Sequence, residues 1–302
     1  MSTPPHAPRP GLDHVPLGIF YMLTATLLFS GSFALSKWLV ADYSFAEVLF
    51  FRAVGSLAVC ALLVLPRTGL AVFRTQRLAA HIGRNVTQGT SQALFVVALG
   101  LMPLAGVVAI NFAAPIFAAL FAALYLHEKI GRARGTALLI GFIGVLLVAS
   151  PGADMFRAGA FFAIANAVTY GSVTAAVRGL TATESTETLT MYQMICLTVF
   201  FGLGMGLFGF TMPTPGTVGV LLINGAFNGA GQYAWTKSLS LAPPAALGPF
   251  YYFSLVWALL LGFLFWGDVP SLTLLAGSAV VVGSGLFLLW HESARKTPPP
   301  AD

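Results

Sequence analysis

The sequence predicts an all-α integral membrane protein with ten transmembrane helices, arranged as two inverted five-helix repeats with both termini in the cytoplasm. Of its 302 residues, 57% are hydrophobic and 8% are charged, whereas about a quarter of the residues in a soluble domain are charged. Ten apolar runs of membrane-spanning length follow one another closely. In addition, rare residue types recur in the same order 140 residues apart.

The length leaves no room for a large water-soluble domain, because each span uses about 20 residues. This excludes nucleotide-driven pumps and enzymes with large extramembrane domains. Cys60 and Cys196 both lie in apolar runs, which predicts packing roles and argues against a disulfide framework or a metal site. We therefore expect neither a bound metal nor a cofactor.

The apolar runs are predicted to be helices, because an open strand in lipid leaves its backbone groups unpaired. The first run lacks a small-residue cleavage site, so we expect it to be retained as a span. Residues 1–16 and 293–302 are polar and proline-rich, which is typical of disordered tails. The ten predicted spans are Leu17–Ser36, Phe45–Leu65, Arg84–Leu101, Leu104–Leu126, Thr136–Ser150, Arg157–Val177, Leu189–Phe210, Val218–Thr236, Ala245–Trp266 and Leu272–Trp290.

Lysine and arginine are distributed unequally across this predicted topology. Lys37 and Arg157 fall on the side opposite the tails, and Arg52 falls within the second span. The other twelve of the fifteen lie on the tail side, namely Arg9, Arg67, Arg74, Arg77, Arg84, Lys129, Arg132, Arg134, Arg178, Lys237, Arg295 and Lys296. Because cytoplasmic connectors are enriched in these residues, both tails are predicted to be cytoplasmic. The expected partner of the positive charge is the lipid bilayer and not nucleic acid.

An internal repeat is visible when the chain is compared with itself at an offset of 140 residues. This offset pairs Gly31 with Gly171, Gly89 with Gly229, Gln92 with Gln232, Pro103 with Pro243, Ala105 with Ala245 and Glu128 with Asp268. The predicted repeats occupy residues 17–150 and 157–290. Since each holds five helices, the second crosses the membrane in the opposite sense to the first. Such symmetry is typical of carriers, and duplication for packing alone is the alternative.

Uncharged amides form polar stripes on two of the predicted spans. The third span carries Asn85, Gln88 and Gln92 on one helical face, and the eighth carries Asn224, Asn228, Gln232 and Trp235. The offset pairs Gln88 with Asn228 and Gln92 with Gln232. Two such helices are predicted to line a shared cavity for a polar solute. The alternative is interhelical hydrogen bonding that holds the bundle together.

Further candidates lie on other spans. Asn166 and Tyr170 fall on the sixth span, and Asn111 on the fourth pairs with Tyr251 on the ninth. Arg52 either contacts a substrate carboxylate or phosphate or extends to the outer interface. Aromatic residues cluster in the second half, where some suit a flat, partly polar metabolite and others face lipid.

Titratable groups are scarce in the predicted membrane interior, because no carboxylate or histidine falls near the middle of any span. A proton relay is therefore disfavoured, and a neutral, hydrogen-bonding cavity is predicted. An intramembrane enzyme would need a nucleophile with a histidine, or paired carboxylates, at depth. Neither is present in the sequence, so catalysis is not expected.

One segment resembles a known family. Residues 101–131, LMPLAGVVAINFAAPIFAALFAALYLHEKIG, are followed by a glycine-patterned span and contain Pro103, Pro115 and Glu128. This pattern is similar to that of the EamA-type branch of the drug/metabolite transporter superfamily. The resemblance implies a ten-helix inner-membrane carrier whose cavity is lined mainly by helices 1, 3, 4, 6, 8 and 9. It also implies substrates such as amino acids, riboflavin, S-adenosylmethionine, nucleotide sugars or small metallophores.

Together these observations predict a secondary transporter that moves a small polar or aromatic metabolite, of the amino acid, riboflavin or S-adenosylmethionine class, across the inner membrane by alternating access. A channel-like facilitator and a non-transporting scaffold are the alternatives. The sequence leaves homodimer formation open. The predicted substrate-binding residues are Arg52, Gln88, Gln92, Asn111, Asn166, Tyr170, Asn228, Gln232, Trp235 and Tyr251.

Overall fold

The computed structural model describes residues 15–126, 132–148, 154–180, 184–242 and 244–296. Within these ranges there is no strand, and one short 3-10 helix occurs at Gly69–Phe73. The α-helices are α1 (Val15–Leu39), α2 (Phe45–Thr68), α3 (Leu78–Leu101), α4 (Leu104–Asn111), α5 (Ala114–Leu126), α6 (Arg132–Val148), α7 (Asp154–Leu180), α8 (Thr186–Phe208), α9 (Pro215–Leu241), α10 (Pro244–Tyr251), α11 (Phe253–Trp266) and α12 (Leu272–Lys296).

These twelve helices correspond to the ten predicted spans. The fourth span is broken into α4 and α5, and the ninth is broken into α10 and α11. In the described part of the chain, four helical segments are long and apolar enough to cross a membrane: Val15–Leu39, Phe45–Phe73, Thr186–Phe208 and Pro249–Trp266. Shorter apolar helices lie at Leu104–Ala118, Gly135–Val148 and Leu272–Phe287.

Several helices are longer than the apolar runs that predict them. Helix α1 begins at Val15, inside the segment predicted as a tail, and α12 continues to Lys296, past the predicted boundary at 293. Helix α3 begins six residues before Arg84, the predicted start of its span. The apolar runs are shorter than the helices because only the hydrocarbon core requires apolar side chains, and a helix continues beyond it. The rest of both predicted tails, with Glu128, Lys129 and Pro243, lies outside the described residues.

Both broken spans are interrupted close to a proline. Helices α4 and α10 each have eight residues, and they end at Asn111 and at Tyr251, 140 residues later. Pro115 follows the first break, and Pro249 lies inside α10. A proline has no amide hydrogen to donate to the carbonyl four residues before it. The two halves of the chain therefore share a break at equivalent positions.

Helix contacts occur in matched pairs. Helix α1 packs on α9 as α7 packs on α3, α2 packs on α9 as α8 packs on α3, and α11 packs on α1 as α5 packs on α7. The counterparts in the two halves are α1 and α7, α2 and α8, α3 and α9, and α5 and α11. Exchanging every helix for its counterpart converts one contact of each pair into the other. Two more contacts, α2 with α8 and α6 with α12, join helices to their own counterparts.

Glycines allow α2 and α9 to approach at backbone distance. A Cβ atom added to Gly225 would lie 2.7 Å from the Cα atom of Gly55 and 2.8 Å from the carbonyl oxygen of Arg52. One turn later, a Cβ atom on Gly229 would lie 2.9 Å from the Cα atom of Ser56. This contact fixes α2, and with it Arg52, against the helix that carries Asn228 and Gln232.

The two ends of the bundle differ. At the end where α1 finishes, the Lys37 ammonium lies 5.4 Å from the centre of the Trp266 ring, at the end of α11. The Lys37 Nζ atom also donates hydrogen bonds to the carbonyl oxygens of Leu99 (2.9 Å) and Met102 (2.8 Å). We call this the closed end. The opposite end, where α1 begins beside the end of α9 through a Gly18–Ala242 contact, is the mouth end.

Candidate functional site

A cavity of about 690 Å³ lies between the two halves of the chain. Its walls come from α1, α2, α3, α4, α7, α8, α9 and α10, with Ser254 of α11. All ten predicted substrate-binding residues line it: Arg52, Gln88, Gln92, Asn111, Asn166, Tyr170, Asn228, Gln232, Trp235 and Tyr251. The structure therefore brings the predicted residues together in one space, and substrate binding by them stays a prediction.

The cavity opens at the mouth end. The lining residues at the start of α8 and the end of α9 include Glu187 and Ser240, and both are exposed. At the other extreme the lining is apolar and largely buried, with Phe33, Phe95 and Val108 packed together. The Phe33 and Phe95 rings lie 4.7 Å apart. These aromatic side chains separate the cavity from the closed end.

One face of α3 runs the length of the cavity. Arg84, Gln88 and Gln92 are spaced four residues apart, so they lie on the same helical face. Gln88 is buried, yet it has no side-chain hydrogen-bond partner among the described residues, and Gln232 on α9 has none either. These two amides are available to a solute.

The asparagine and glutamine side chains of the two polar stripes serve two roles: some form hydrogen bonds between helices, and others line the cavity. Asn224 is fully buried, and its Nδ2 atom donates a 3.0 Å hydrogen bond to Ser36 Oγ on α1. Asn85 donates to the carbonyl oxygen of Tyr192 on α8, at 3.4 Å. Neither residue lines the cavity. Asn85 and Asn224 therefore act as interhelical contacts, whereas Gln88 and Gln232 face the solute space.

Arg52 turns inward from α2. Its side chain is 3% exposed, and its Nη2 atom donates a 2.6 Å hydrogen bond to Gln92 Oε1. The alternative in which Arg52 extends to the interface is therefore wrong. This hydrogen bond holds the Arg52 guanidinium beside the cavity-lining face of α3, at the end of the cavity that lies towards the closed end.

Asn166 on α7 connects three helices at the cavity wall. Its Oδ1 atom accepts a hydrogen bond from Ser91 Oγ on α3, and its Nδ2 atom donates to Asn111 Oδ1 at the end of α4, both at 2.8 Å. Ser91 and Asn166 are 1% and 3% exposed. Asn166 is therefore both a lining residue and a structural link.

Replacing Asn166 by leucine is expected to destabilise the protein by about 2 kcal/mol, because Ser91 and Asn111 then lose buried hydrogen-bond partners. The apparent melting temperature in detergent should fall by roughly 4–8 °C. Thr174→Val on the same helix is the matched control, since the Thr174 hydroxyl bonds only the carbonyl oxygen of Tyr170 in its own helix. An equal shift in both variants would contradict the special role of Asn166.

Aromatic rings form one side of the cavity. Tyr251 packs edge to face against Trp235, with ring centres 5.1 Å apart, and against Phe112, at 5.5 Å. Phe29 and Phe33 of α1 also line the space. Other aromatic residues of the second half, including Phe227 and Phe253, are exposed on the bundle surface. Trp235 and Tyr251 are thus the members of this cluster positioned to contact a flat solute.

Arg84 corrects one prediction from the sequence. The sequence predicts it at the cytoplasmic start of the third span, but it lies inside α3, is 6% exposed and lines the cavity. Its Nη2 atom donates a 2.7 Å hydrogen bond to Gln193 Oε1 on α8. With Arg52, it gives the lining two cations, so the expectation of a neutral cavity is wrong. The four-residue spacing of Arg84, Gln88 and Gln92 is the sequence signal that could have revealed it.

Metal-ligating side chains do not cluster in the part of the chain that the structure describes, where no group of three or more His, Cys, Asp or Glu could hold an ion. The described carboxylate in the lining is Glu187, at the mouth. Cys60 is buried and Cys196 is partly buried.

Comparison with known proteins identifies the family. The sequence model of the EamA-like transporter family matches residues 16–150 and again residues 157–290. The chain belongs to the EamA-like transporter family. This confirms the resemblance drawn from the segment at residues 101–131. Membership of the EamA family, with the apolar helices, makes the chain a multi-pass membrane protein of the transporter class.

Relatives in the EamA family align over nearly the whole chain. A riboflavin transporter from Rhizobium johnstonii is 30% identical over 286 residues, covering 94% of this chain and 94% of the relative. A pseudopaline exporter from Pseudomonas aeruginosa is 28% identical, covering 90% and 95% respectively. A crystal structure that is 20% identical superposes with a TM-score of 0.66, covering 93% of this chain and 99% of the other. The last match supports the fold alone.

Proposed function

We propose that the protein is a secondary transporter that carries a small polar or aromatic metabolite across the inner membrane by alternating access. The observation that carries this proposal is the cavity, which opens at one end, is bounded by packed apolar side chains at the other and combines free amides with aromatic faces. Its volume of about 690 Å³ lies within the range of about 300–1,000 Å³ typical of small-molecule sites.

The internal repeat supports alternating access. The equivalent eight-residue helices and the matched helix contacts are what two inverted copies of one five-helix unit would produce. An inverted repeat allows two related arrangements, with the site open to one side or to the other. In this proposal the arrangement described above is one of the two, and exchanging the roles of the two halves generates the second.

The distribution of lysine and arginine supports an orientation. Most of these residues lie in segments predicted on the tail side, which the positive-inside rule places in the cytoplasm. The mouth end, where α1 begins, then faces the cytoplasm. In this proposal the structure is the inward-facing state of an inner-membrane carrier.

The substrate class follows from the lining. Gln88 and Gln232 offer amide donors and acceptors, while Trp235 and Tyr251 offer aromatic faces and edges. A flat metabolite with polar edges uses both. Since relatives include riboflavin transporters, riboflavin is the first substrate to test, followed by amino acids and S-adenosylmethionine.

Transport is tested with purified protein in liposomes. We expect saturable uptake of a labelled member of these classes. Gln232→Ala should raise the half-saturation concentration about 3–10-fold, because one neutral hydrogen bond to the solute is lost. Gln92→Ala should have a larger effect, because Arg52 also loses its partner.

The control is Gln76→Ala, which removes an exposed glutamine from the loop before α3. Normal elution in size-exclusion chromatography shows that each variant is folded. Unchanged kinetics in both cavity variants would overturn the site assignment. A flux that rises linearly with concentration would instead favour the channel-like facilitator, and no flux of any metabolite would favour the scaffold.

A further inference from the structure

The cavity holds two buried arginines that have free hydrogen-bonding capacity. Arg52 and Arg84 are 3% and 6% exposed, and both line the solute space. Each donates from Nη2 to the side-chain oxygen of a glutamine, Gln92 or Gln193. Arg52 Nη1 and Arg84 Nε are buried atoms with no hydrogen-bond partner in the described structure. Both guanidinium groups therefore retain a donor that no protein atom uses.

Neither arginine is neutralised by a described acidic side chain. Glu184 pairs with His81, at 3.9 Å, and Glu187 in the lining is exposed at the mouth. A glutamine oxygen orients a guanidinium without cancelling its charge. Since a buried, unpaired charge is costly, two such groups facing one cavity indicate a ligand that supplies the missing negative charge.

The two cations mark the two ends of the polar face of α3. Arg84 and Gln92 are eight residues apart on this face, a rise of about 12 Å along the helix. Arg52 is hydrogen-bonded to Gln92, so it lies at the inner end, whereas Arg84 lies towards the mouth. The unpartnered amide of Gln88 falls between them.

We infer that the transported metabolite carries a carboxylate or phosphate group, which binds Arg84 near the mouth and Arg52 at depth. This inference rests on the transport function proposed above and adds the charge of the substrate. A guanidinium group presents paired donors that match the oxygen atoms of either acid group. The rest of the metabolite then lies against Trp235 and Tyr251, and Gln88 offers an intermediate hydrogen bond as the acid group moves along α3.

Two pairs of probes test the inference, each differing in one acid group. Riboflavin and riboflavin 5′-phosphate form the phosphate pair, and indole-3-acetamide and indole-3-acetate form the carboxylate pair. Binding to the purified full chain is measured by equilibrium dialysis, and flux is measured in proteoliposomes. In at least one pair the acidic member should bind roughly tenfold or more tightly than the neutral member, as expected for a charge-assisted contact. The pair that responds identifies the acid group.

Arg84→Gln should abolish most of this preference by weakening binding of the acidic member more than binding of the neutral member, whereas Arg84→Lys should retain part of the preference. Arg74→Gln is the matched control, because Arg74 is an exposed arginine in the loop before α3. Equal loss of acidic and neutral probes in Arg84→Gln would assign the residue a structural role and overturn the inference.

Equal binding of both members of each pair to the wild-type chain, or no binding of either acid, would also overturn it. Failure of the transport proposal gives a different result. If the acid binds selectively but no probe crosses the liposome membrane, the anion site stands and the carrier function fails. If both members are carried equally well, the carrier function stands and the anion preference fails.

Discussion

Gly225→Val is expected to prevent folded protein from accumulating, and Gly225→Ala to lower the apparent melting temperature by about 5 °C or more. A Cβ atom at this position would lie 2.7 Å from Gly55 Cα and 2.8 Å from the Arg52 carbonyl oxygen. Both neighbours are backbone atoms, which cannot move aside as a side chain can. The helices α2 and α9 would therefore have to separate at the level of the cavity.

The matched control for this stability effect is Gly219→Ala, in the same helix. Gly219 has open space around it, since no atom of a neighbouring helix lies within 4 Å of an added Cβ. We expect this variant to be as stable as the parent or slightly more so, since alanine favours helix over glycine. Thermal unfolding in detergent, read by the loss of monodisperse protein, compares the three variants. Equal melting temperatures for Gly219→Ala and Gly225→Ala would contradict the close backbone contact.

Lys37→Met is expected to open the closed end. The substitution keeps much of the side-chain length but removes two hydrogen bonds, to Leu99 and Met102, and the contact with the Trp266 ring. These bonds satisfy carbonyl groups at the end of α3, which otherwise have no helical donor. In the proposed alternating-access cycle this contact is made only when this end is shut, so a loss of about 1–3 kcal/mol there should shift the equilibrium roughly 5–150-fold towards the opposite state.

This shift is measured with Phe95→Cys in a background of Cys60→Ala and Cys196→Ser. Phe95 is 6% exposed, so an impermeant maleimide applied to intact cells should label it slowly. Lys37→Met should raise the labelling rate about tenfold or more. Met212→Cys, at an 83% exposed position, should label at the same rate with or without Lys37→Met. Lys237→Met, at the mouth end, is the control substitution. Unchanged labelling of Phe95→Cys would show that Lys37 does not hold this end shut.

The sequence predicts the helical class and the helix order well. In lipid the backbone must satisfy its own hydrogen bonds, so each long apolar run is expected to be a helix. It also predicts the content of the cavity, since all ten proposed residues line it. The reason is that uncharged amides on one helical face, such as Gln88 and Gln92, have few energetically acceptable places in a membrane other than a cavity or a helix contact.

The sequence does not separate these two roles, and it misassigns charges near the ends of spans. Asn224 and Asn228 are one turn apart, yet Asn224 is fully buried against α1 while Asn228 lines the cavity. Which face a residue turns to its neighbour depends on helix rotation, which glycine contacts such as Gly55–Gly225 decide. The sequence predicts Arg84 at the tail-side start of its span because hydropathy marks the start of the apolar run and not the start of the helix.

The breaks that follow α4 and α10 give the bundle two positions, at the level of the cavity, where a helix can bend. Continuous helices resist bending through their unbroken hydrogen-bond ladders, and a break removes that resistance locally. Asn111 and Tyr251 are the last residues before the breaks, and both line the cavity. Bending at either break therefore displaces side chains that line the cavity. Pro115 follows the first break and does not line the cavity, so we expect a substitution there to change the shape of the cavity without altering any lining side chain.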